Sequence, residues 1–305
     1  DEPSKKNWVL DDPVSLELGA MLPRMSLSID SIFLGTEDYG SWSFNLEPDV
    51  AGIELTSVDG SIRGISFKEA SVKWDYQNNR TSFANELSII DLGKVLPLWG
   101  FAPGVETSSL AMNVDLSWPG SPVNVELFST EGEVAFQAGA GRFLDEETSA
   151  NGLRLLSIFT PYAIMKRINN FDFSDIIGEG MSFDSLTGTT QISYGELEFT
   201  QPVIVESRSS TFEFGGKISL IDDSLNNEMI VTLPVSKSLP WYGLYLALAN
   251  PVAGLGVVIG EQILRKPIEQ FSSAKFQIKG TFEDPNVRFQ SLWDTEIALP
   301  PKTSE

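Results

Sequence analysis

The 305-residue chain contains no cysteine and no histidine. The first absence excludes disulfides, thiolate nucleophiles and zinc sites of the usual Cys/His kind. The second excludes histidine as a general base. A cysteine-free chain fits any redox compartment, so cysteine usage assigns none. Positive charge is also scarce: 21 Lys and Arg stand against 42 Asp and Glu, a net charge of −21. Phosphate contacts need clustered cations, and these are scattered apart from pairs such as Lys166-Arg167 and Arg265-Lys266. Nucleic acid is therefore not an expected partner. The opening DEPSKKNWVL lacks the charged start and apolar run of a signal peptide, and reads as if cut from something longer. Catalytic signatures are missing as well, with no G-x-S-x-G elbow and no G-x-x-x-x-G-K-[ST] loop. Gly139/Gly141 and Gly178/Gly180 form G-x-G pairs but read as strand-end turns. Asp145-Glu146-Glu147 and Asp222-Asp223 lack calcium-loop spacing and read as solvated turns. No enzyme, cofactor or metal is expected.

What the chain does have is period-two alternation. In SLSIDSIFLG, Leu27, Ile29 and Ile32 interleave with Ser and Asp. In GSIRGISFKEASVKWDY, Ile62, then Ile65 and Phe67, then Val72 and Trp74 do the same. In STFEFGGKISLID, Phe212 and Phe214 share a face, and Ile218 and Leu220 share one after a Gly-Gly break. These are half-buried strands with one apolar side. Turn chemistry separates them at residues 35–40, 47–49, 59–60, 77–79, 119–122, 222–227 and 283–285. The rhythm predicts an antiparallel meander rather than βαβ units. Trp42, Trp74, Trp99 and Trp118 fit core positions or, in the alternative, a sugar-stacking platform.

Helical periodicity appears in few places. Residues 92–101 read as a short helical turn. Residues 152–168 place Leu155, Leu156, Phe159, Tyr162 and Ala163 on one helical face, with Lys166 and Arg167 in the last turn. From Leu239 to Gly260 there is no charged residue. A helix of that length would reach roughly 33 Å and cross a bilayer. Pro240, Asn250-Pro251 and glycines 243, 254, 256 and 260 argue for two shorter helices instead, about 239–249 and 251–270. Between residues 241 and 280, Arg265, Lys266, Lys275 and Lys279 outweigh Glu261 and Glu269, leaving +2 locally and −23 on the rest. Trp241, Tyr242 and Tyr245 are interfacial residue types. Two readings stand: the segment lies on an anionic bilayer, or it caps the β structure as buried helices.

Several motifs occur in one order: DLSWPGSP (115–122), QAGAGRFLDEE (137–147), LRLLSIF (153–159), FDFSDIIGEGMSFDSL (171–186), YGELEF (194–199) and FGGKISL (214–220). ANPVAGLGVVIGEQILRKPIEQ (249–270) and FQIKGTFEDPNV (276–287) follow, and PRMSLSIDSIFLG (23–35) and VKWDYQNNRTSF (72–83) precede them more loosely. In these the chain resembles the C-terminal region of the YhdP branch of the AsmA-like family, with Ile177 and Met181 where that family usually has phenylalanine. The resemblance implies a large protein of the Gram-negative envelope, anchored in the inner membrane by an N-terminal helix. Such a protein crosses the periplasm as a long β-groove and helps move phospholipid to the outer membrane. This chain would be its outer-membrane-proximal end, meeting the inner leaflet there and other envelope proteins.

The expected fold is mainly β: a strongly curved antiparallel sheet forming a taco-like groove, with a few short helices near its C-terminal end. Residues 1–22 form an N-terminal extension, 23–290 a single AsmA-like domain and 291–305 a flexible tail. Acyl chains would cover the apolar face, at about 0.8 kcal/mol per buried CH₂. Expected groove-lining residues are Phe143, Leu155, Leu156, Phe159, Phe171, Phe173, Phe183, Ile192, Leu197 and Phe199. Expected docking residues are Leu239, Trp241, Tyr242, Leu244, Tyr245, Leu248, Val257, Val258 and Ile259, with Arg265 and Lys266 near head groups. Two other functions compete: a structural or protein-docking envelope module carrying no lipid, and a carbohydrate-binding β-sandwich.

Overall fold

The computed structural model describes residues 12, 14–34, 37–99, 103–126, 128–144, 180–208, 210–234, 271–282, 284–292 and 296–297. The first half contains α1 (Leu16–Ala20), β1 (Met25–Ile29), β2 (Phe33–Leu34), β3 (Glu37–Asp38), β4 (Trp42–Pro48), β5 (Gly52–Ile62), β6 (Ile65–Asp75), β7 (Arg80–Ile89) and α2 (Leu92–Leu98). Then come β8 (Val105–Thr107), β9 (Leu110–Pro119), β10 (Glu131–Ala138), β11 (Gly141–Leu144), β12 (Gly180–Phe183) and β13 (Ser185–Ser193). The last five are β14 (Glu196–Glu206), β15 (Thr211–Ser219), β16 (Ser224–Pro234), β17 (Phe271–Thr281) and β18 (Pro285–Leu292).

Thirteen of these strands form one antiparallel sheet in the order β1-β4-β5-β6-β7-β9-β10-β13-β14-β15-β16-β17-β18. The outermost strands, β1 and β18, are not paired with each other, so the sheet is not closed into a barrel. Tight turns fix the meander. Arg63-Gly64 (φ 45° and 84°) and Tyr194-Gly195 (φ 50° and 84°) are left-handed pairs that match the twist of the strands they join. Asp59-Gly60, expected as a turn, lies instead inside β5; the chain reverses at Arg63-Gly64. The Gly215-Gly216 pair also breaks nothing. β15 runs through it, because Gly216 at φ 117° lets Asn226 and Asn227 of β16 approach too closely for a side chain.

Bulges keep the faces in phase. β5 carries one extra residue at Ser57 (φ 51°) and β6 one at Glu69 (φ 53°). Leu55 pairs with Val72 before the two bulges and Gly60 with Phe67 after them, so the register is restored. β14 takes up two extra residues between Glu198 and Val203, around Pro202. An even number leaves its parity unchanged.

β8, β11 and β12 form a second sheet in the order β12-β11-β8. They are the continuations of β13, β10 and β9 past a corner. At that corner the Thr107 hydroxyl donates to Ala140 O at 3.1 Å, and Gly139 N–H donates to Ser109 O at 3.0 Å. The sheets therefore share three ribbons of chain that bend together.

Candidate functional site

Antiparallel partners point to the same side of a sheet, so the register shows what each face presents. One row takes a residue from every strand: Met25, Leu46, Leu55, Val72, Phe83, Leu116, Gly132, Ile192, Leu197, Ile218, Leu225, Gly280 and Pro285. A second row runs Ile62, Ile65, Ile89, Leu110, Ala138, Leu186, Val205, Phe212, Val231, Ala274 and Leu292. Among the described residues, no charged side chain occupies this face in any of the thirteen strands. The opposite face carries the charges, as in the row Gln191, Glu198, Lys217, Asn226, Lys279 and Asn286, where Lys217 and Glu198 pair at 2.9 Å. The sheet has one oily side and one charged, largely wet side. The latter is itself covered over β16 and β17, where Ile230 is 1% exposed and Lys275, 8% exposed, pairs with Glu228 at 3.0 Å.

The oily side is not covered evenly. Over β14–β17, Phe199, Val203, Val205, Phe212, Phe214, Met229 and Phe276 are buried in one cluster with Phe143, Met181 and Phe183 of the second sheet. The Phe143 and Phe183 rings lie 5.0 Å apart, and Phe199 meets Phe214 edge-on at 5.5 Å. Across the other strands burial is mixed: Leu46, Ile53, Val58, Phe67, Ala70 and Val114 are buried, whereas Leu55, Val72, Phe83, Leu87, Met112, Leu116, Val134 and Ile192 on the same face are only half-buried. At the border where β6 ends, α1 seats against Trp74, which is 1% exposed. A methyl on Gly19 would stand 2.7 Å from Trp74 Cζ3. Asp12 fixes this segment: its carboxylate accepts from Ser121 N–H and from the Ser121 hydroxyl, both at 2.6 Å. Burial raises the Asp12 pKa, but the Ser121 bonds and the Val14 N–H outweigh that and hold it below the usual carboxylate value. At the opposite border α2, capped by the Asp91 carboxylate, buries Val95 and Leu96.

Five of the ten expected groove residues fall within the described chain. Phe143, Phe183 and Phe199 are brought together, but as buried core. Ile192 and Leu197 pair directly and are half-buried on the first of the two apolar rows, next to the Tyr194-Gly195 turn. Leu155, Leu156, Phe159, Phe171 and Phe173 lie outside the described residues, as do all eleven expected docking residues from Leu239 to Lys266 and the helices expected at 152–168, 239–249 and 251–270. The N-terminal half of the face, from Met25 to Leu116, was not among the expected groove residues, although its alternation is as regular as that of the later strands. The tryptophans do not assemble a platform. Trp74 and Trp118 are buried, Trp42 packs on Phe67 at 4.9 Å, and Trp99 sits apart after α2. Among the described residues no acidic cluster is arranged to hold a metal ion.

Open edges and two chemically opposite faces define an extended amphipathic β-sheet protein. The chain belongs to the YhdP protein family, whose model matches residues 2–287. One relative, the intermembrane phospholipid transporter YhdP of Escherichia coli (strain K12), is 28% identical over 244 residues, covering 78% of this chain and 19% of that protein. The chain thus spans about a fifth of that relative's length. No solved structure matches. Among the described residues no helix is long and apolar enough to cross a membrane.

Proposed function

We propose that the charge-free face of the sheet shelters phospholipid acyl chains, as one section of a lipid-transport bridge through the envelope. The observation that carries this is the continuity of the face: every one of the thirteen strands contributes, and none contributes a charge. The part of the face over β14–β17 is covered by the second sheet. The stretch open to a lipid therefore runs from β1 to β13, seven strand spacings of about 4.8 Å or roughly 34 Å. A hydrocarbon chain lying on it keeps its CH₂ groups out of water, while the head group remains hydrated beyond a border. Over these strands no position on the face interrupts it with a charge, so a lipid moves without a large step in energy. The similarity to the Escherichia coli intermembrane phospholipid transporter supports the same reading.

Within this proposal the sheet is curved into a groove, and the chain occupies the outer-membrane-proximal end of a periplasmic bridge anchored in the inner membrane. The 239–266 segment meets the inner leaflet of the outer membrane. The burial of Trp74 and Trp118 disfavours the carbohydrate-binding alternative. The lipid reading is tested by purifying the chain without detergent and analysing an organic extract by mass spectrometry. Co-purifying phospholipid is the expected result, and a clean extract would overturn it in favour of a structural module. Docking is tested by flotation with liposomes: wild type is expected to float, and a Trp241→Asp/Tyr245→Asp variant to stay down. Equal behaviour of the two would remove the docking role.

A further inference from the structure

A second apolar surface lies off the charge-free face. The β9–β10, β13–β14 and β15–β16 turns emerge side by side at one border, because β10 pairs with β13 and β14 with β15. Main-chain bonds tie them together: Tyr194 N–H donates to Thr130 O at 3.1 Å, and Leu220 N–H donates to Gly195 O at 2.8 Å. Phe128 and Ile221 converge over Gly195, where an added methyl would stand 2.8 Å from Phe128 Cδ1 and 3.2 Å from Ile221 Cγ1. Nonetheless Phe128 is 43% exposed, Tyr194 48% and Ile221 65%. Scattered exposed apolar residues are ordinary, but two that meet over Gly195 from separate turns, next to an exposed Tyr194, make a patch. Val125, also exposed, extends it along the β9–β10 turn.

The turns that carry the patch hold charge of one sign, and the nearby Arg80 is already paired with Glu131. Residues 120–130, 194–195 and 220–223 contain Glu126, Asp222 and Asp223 and no lysine or arginine, with Glu196 immediately beyond. An anionic bilayer surface would be repelled by these carboxylates. We propose that this border docks a protein segment that is both apolar and cationic, such as an amphipathic helix flanked by lysine or arginine. Its apolar side seats on Phe128, Tyr194 and Ile221, and its cations face Glu196, Asp222 and Asp223. The inference does not depend on what the sheet carries on its charge-free face.

The test uses the whole chain and a fluorescent Leu/Lys amphipathic peptide, followed by anisotropy at low and high salt. Wild type is expected to bind with affinity that falls as salt rises. A Phe128→Ser/Ile221→Ser variant should weaken binding about tenfold or more. Both side chains are exposed, so its urea midpoint should stay near wild type. An Asp222→Asn/Asp223→Asn variant should weaken binding several-fold and flatten its salt dependence. Glu47→Gln/Glu54→Gln, on the charged face of β4 and β5, should leave it unchanged. Unaltered binding by the Phe128→Ser/Ile221→Ser variant would show that the acidic protein attracts the peptide without this surface, and would overturn the proposal. So would flotation of wild type on phosphatidylethanolamine/phosphatidylglycerol vesicles that this variant abolishes, because the border would then be a membrane element. Concentration-dependent self-association abolished by the same variant would overturn it too.

Discussion

A carboxylate placed among the half-buried residues of the apolar face should clear lipid from that face without unfolding the sheet. Val72 is a suitable site, half-buried in β6 between the exposed Ser71 and Lys73 and paired with Leu55 and Phe83. Fully burying a valine contributes about 1.5–3 kcal/mol, so losing a half-buried one costs about 1 kcal/mol. That is a modest part of a total stability of about 5–15 kcal/mol. The new carboxylate stays hydrated as long as nothing covers it, whereas an acyl chain laid over it would strip that water at a cost of several kcal/mol. The chain would therefore be displaced by about one strand spacing on either side, roughly 10 Å in all. Turning even two CH₂ groups back to water costs about 1.6 kcal/mol, or roughly a fifteenfold loss in occupancy. Phospholipid per protein, measured by mass spectrometry of extracts, should fall by that factor or more in Val72→Asp. Ser82→Asp is the control. It adds the same charge one strand away on the wet face, opposite Lys73, and should retain wild-type lipid. Equal lipid in folded Val72→Asp and wild type would refute the reasoning, as would equal loss in both variants.

Three further outcomes follow from geometry and titration. Gly64→Ala should destabilise the chain by about 1–3 kcal/mol in urea unfolding, because φ is 84° there and Val95 Cγ2 would lie 2.5 Å from the new methyl. The stability that Asp12 contributes should be present above the ordinary carboxylate pKa of 3.8 and lost as pH falls through its lowered folded value. Unfolding curves of wild type and Asp12→Asn should accordingly converge below pH 3.8. Glu213 shows the opposite sign: burial raises its pKa above the usual 4.5, so ionisation opposes folding as pH rises. Glu213→Gln should therefore stabilise the protein at neutral pH, with the gain disappearing below pH 4.5.

Much of the sheet was legible because alternation is local chemistry. Ile65, Phe67, Val72 and Trp74 advertise one face within a single strand, and the structure puts them there. The bulge between Phe67 and Ala70 was not legible. Ser-Phe-Lys-Glu-Ala carries no glycine to announce a residue at positive φ. Glu69 is held there by the facing Asp59, whose carboxylate accepts its N–H at 2.8 Å, and the extra residue at Ser57 restores the register. Asp59-Gly60 failed as a turn signal for a related reason: Gly60 faces Phe67 and Trp42 in mid-sheet, and the reversal is delegated to Arg63-Gly64. Phe143 and Phe183 were recognised as apolar and structurally important. Their sealing against the large sheet depends on the corner at Thr107 and Gly139, which joins segments far apart in sequence and leaves no local trace. Periodicity likewise does not distinguish a half-buried Leu116 from a fully buried Phe212, since both alternate in the same way. Only the distribution of cover along the sheet separates them.

The hairpin register has a consequence for how such a chain changes size. Adding or removing one residue within a strand inverts everything beyond it, and the matched irregularities at Ser57 and Glu69 show the correction that this demands. Adding or removing a whole hairpin inverts nothing, because each neighbour meets the same parity as before. Length in this architecture is therefore quantised, in steps of two strands or about 10 Å. Duplication or deletion of single hairpins is the mutational route by which one scaffold can be fitted to gaps of different width.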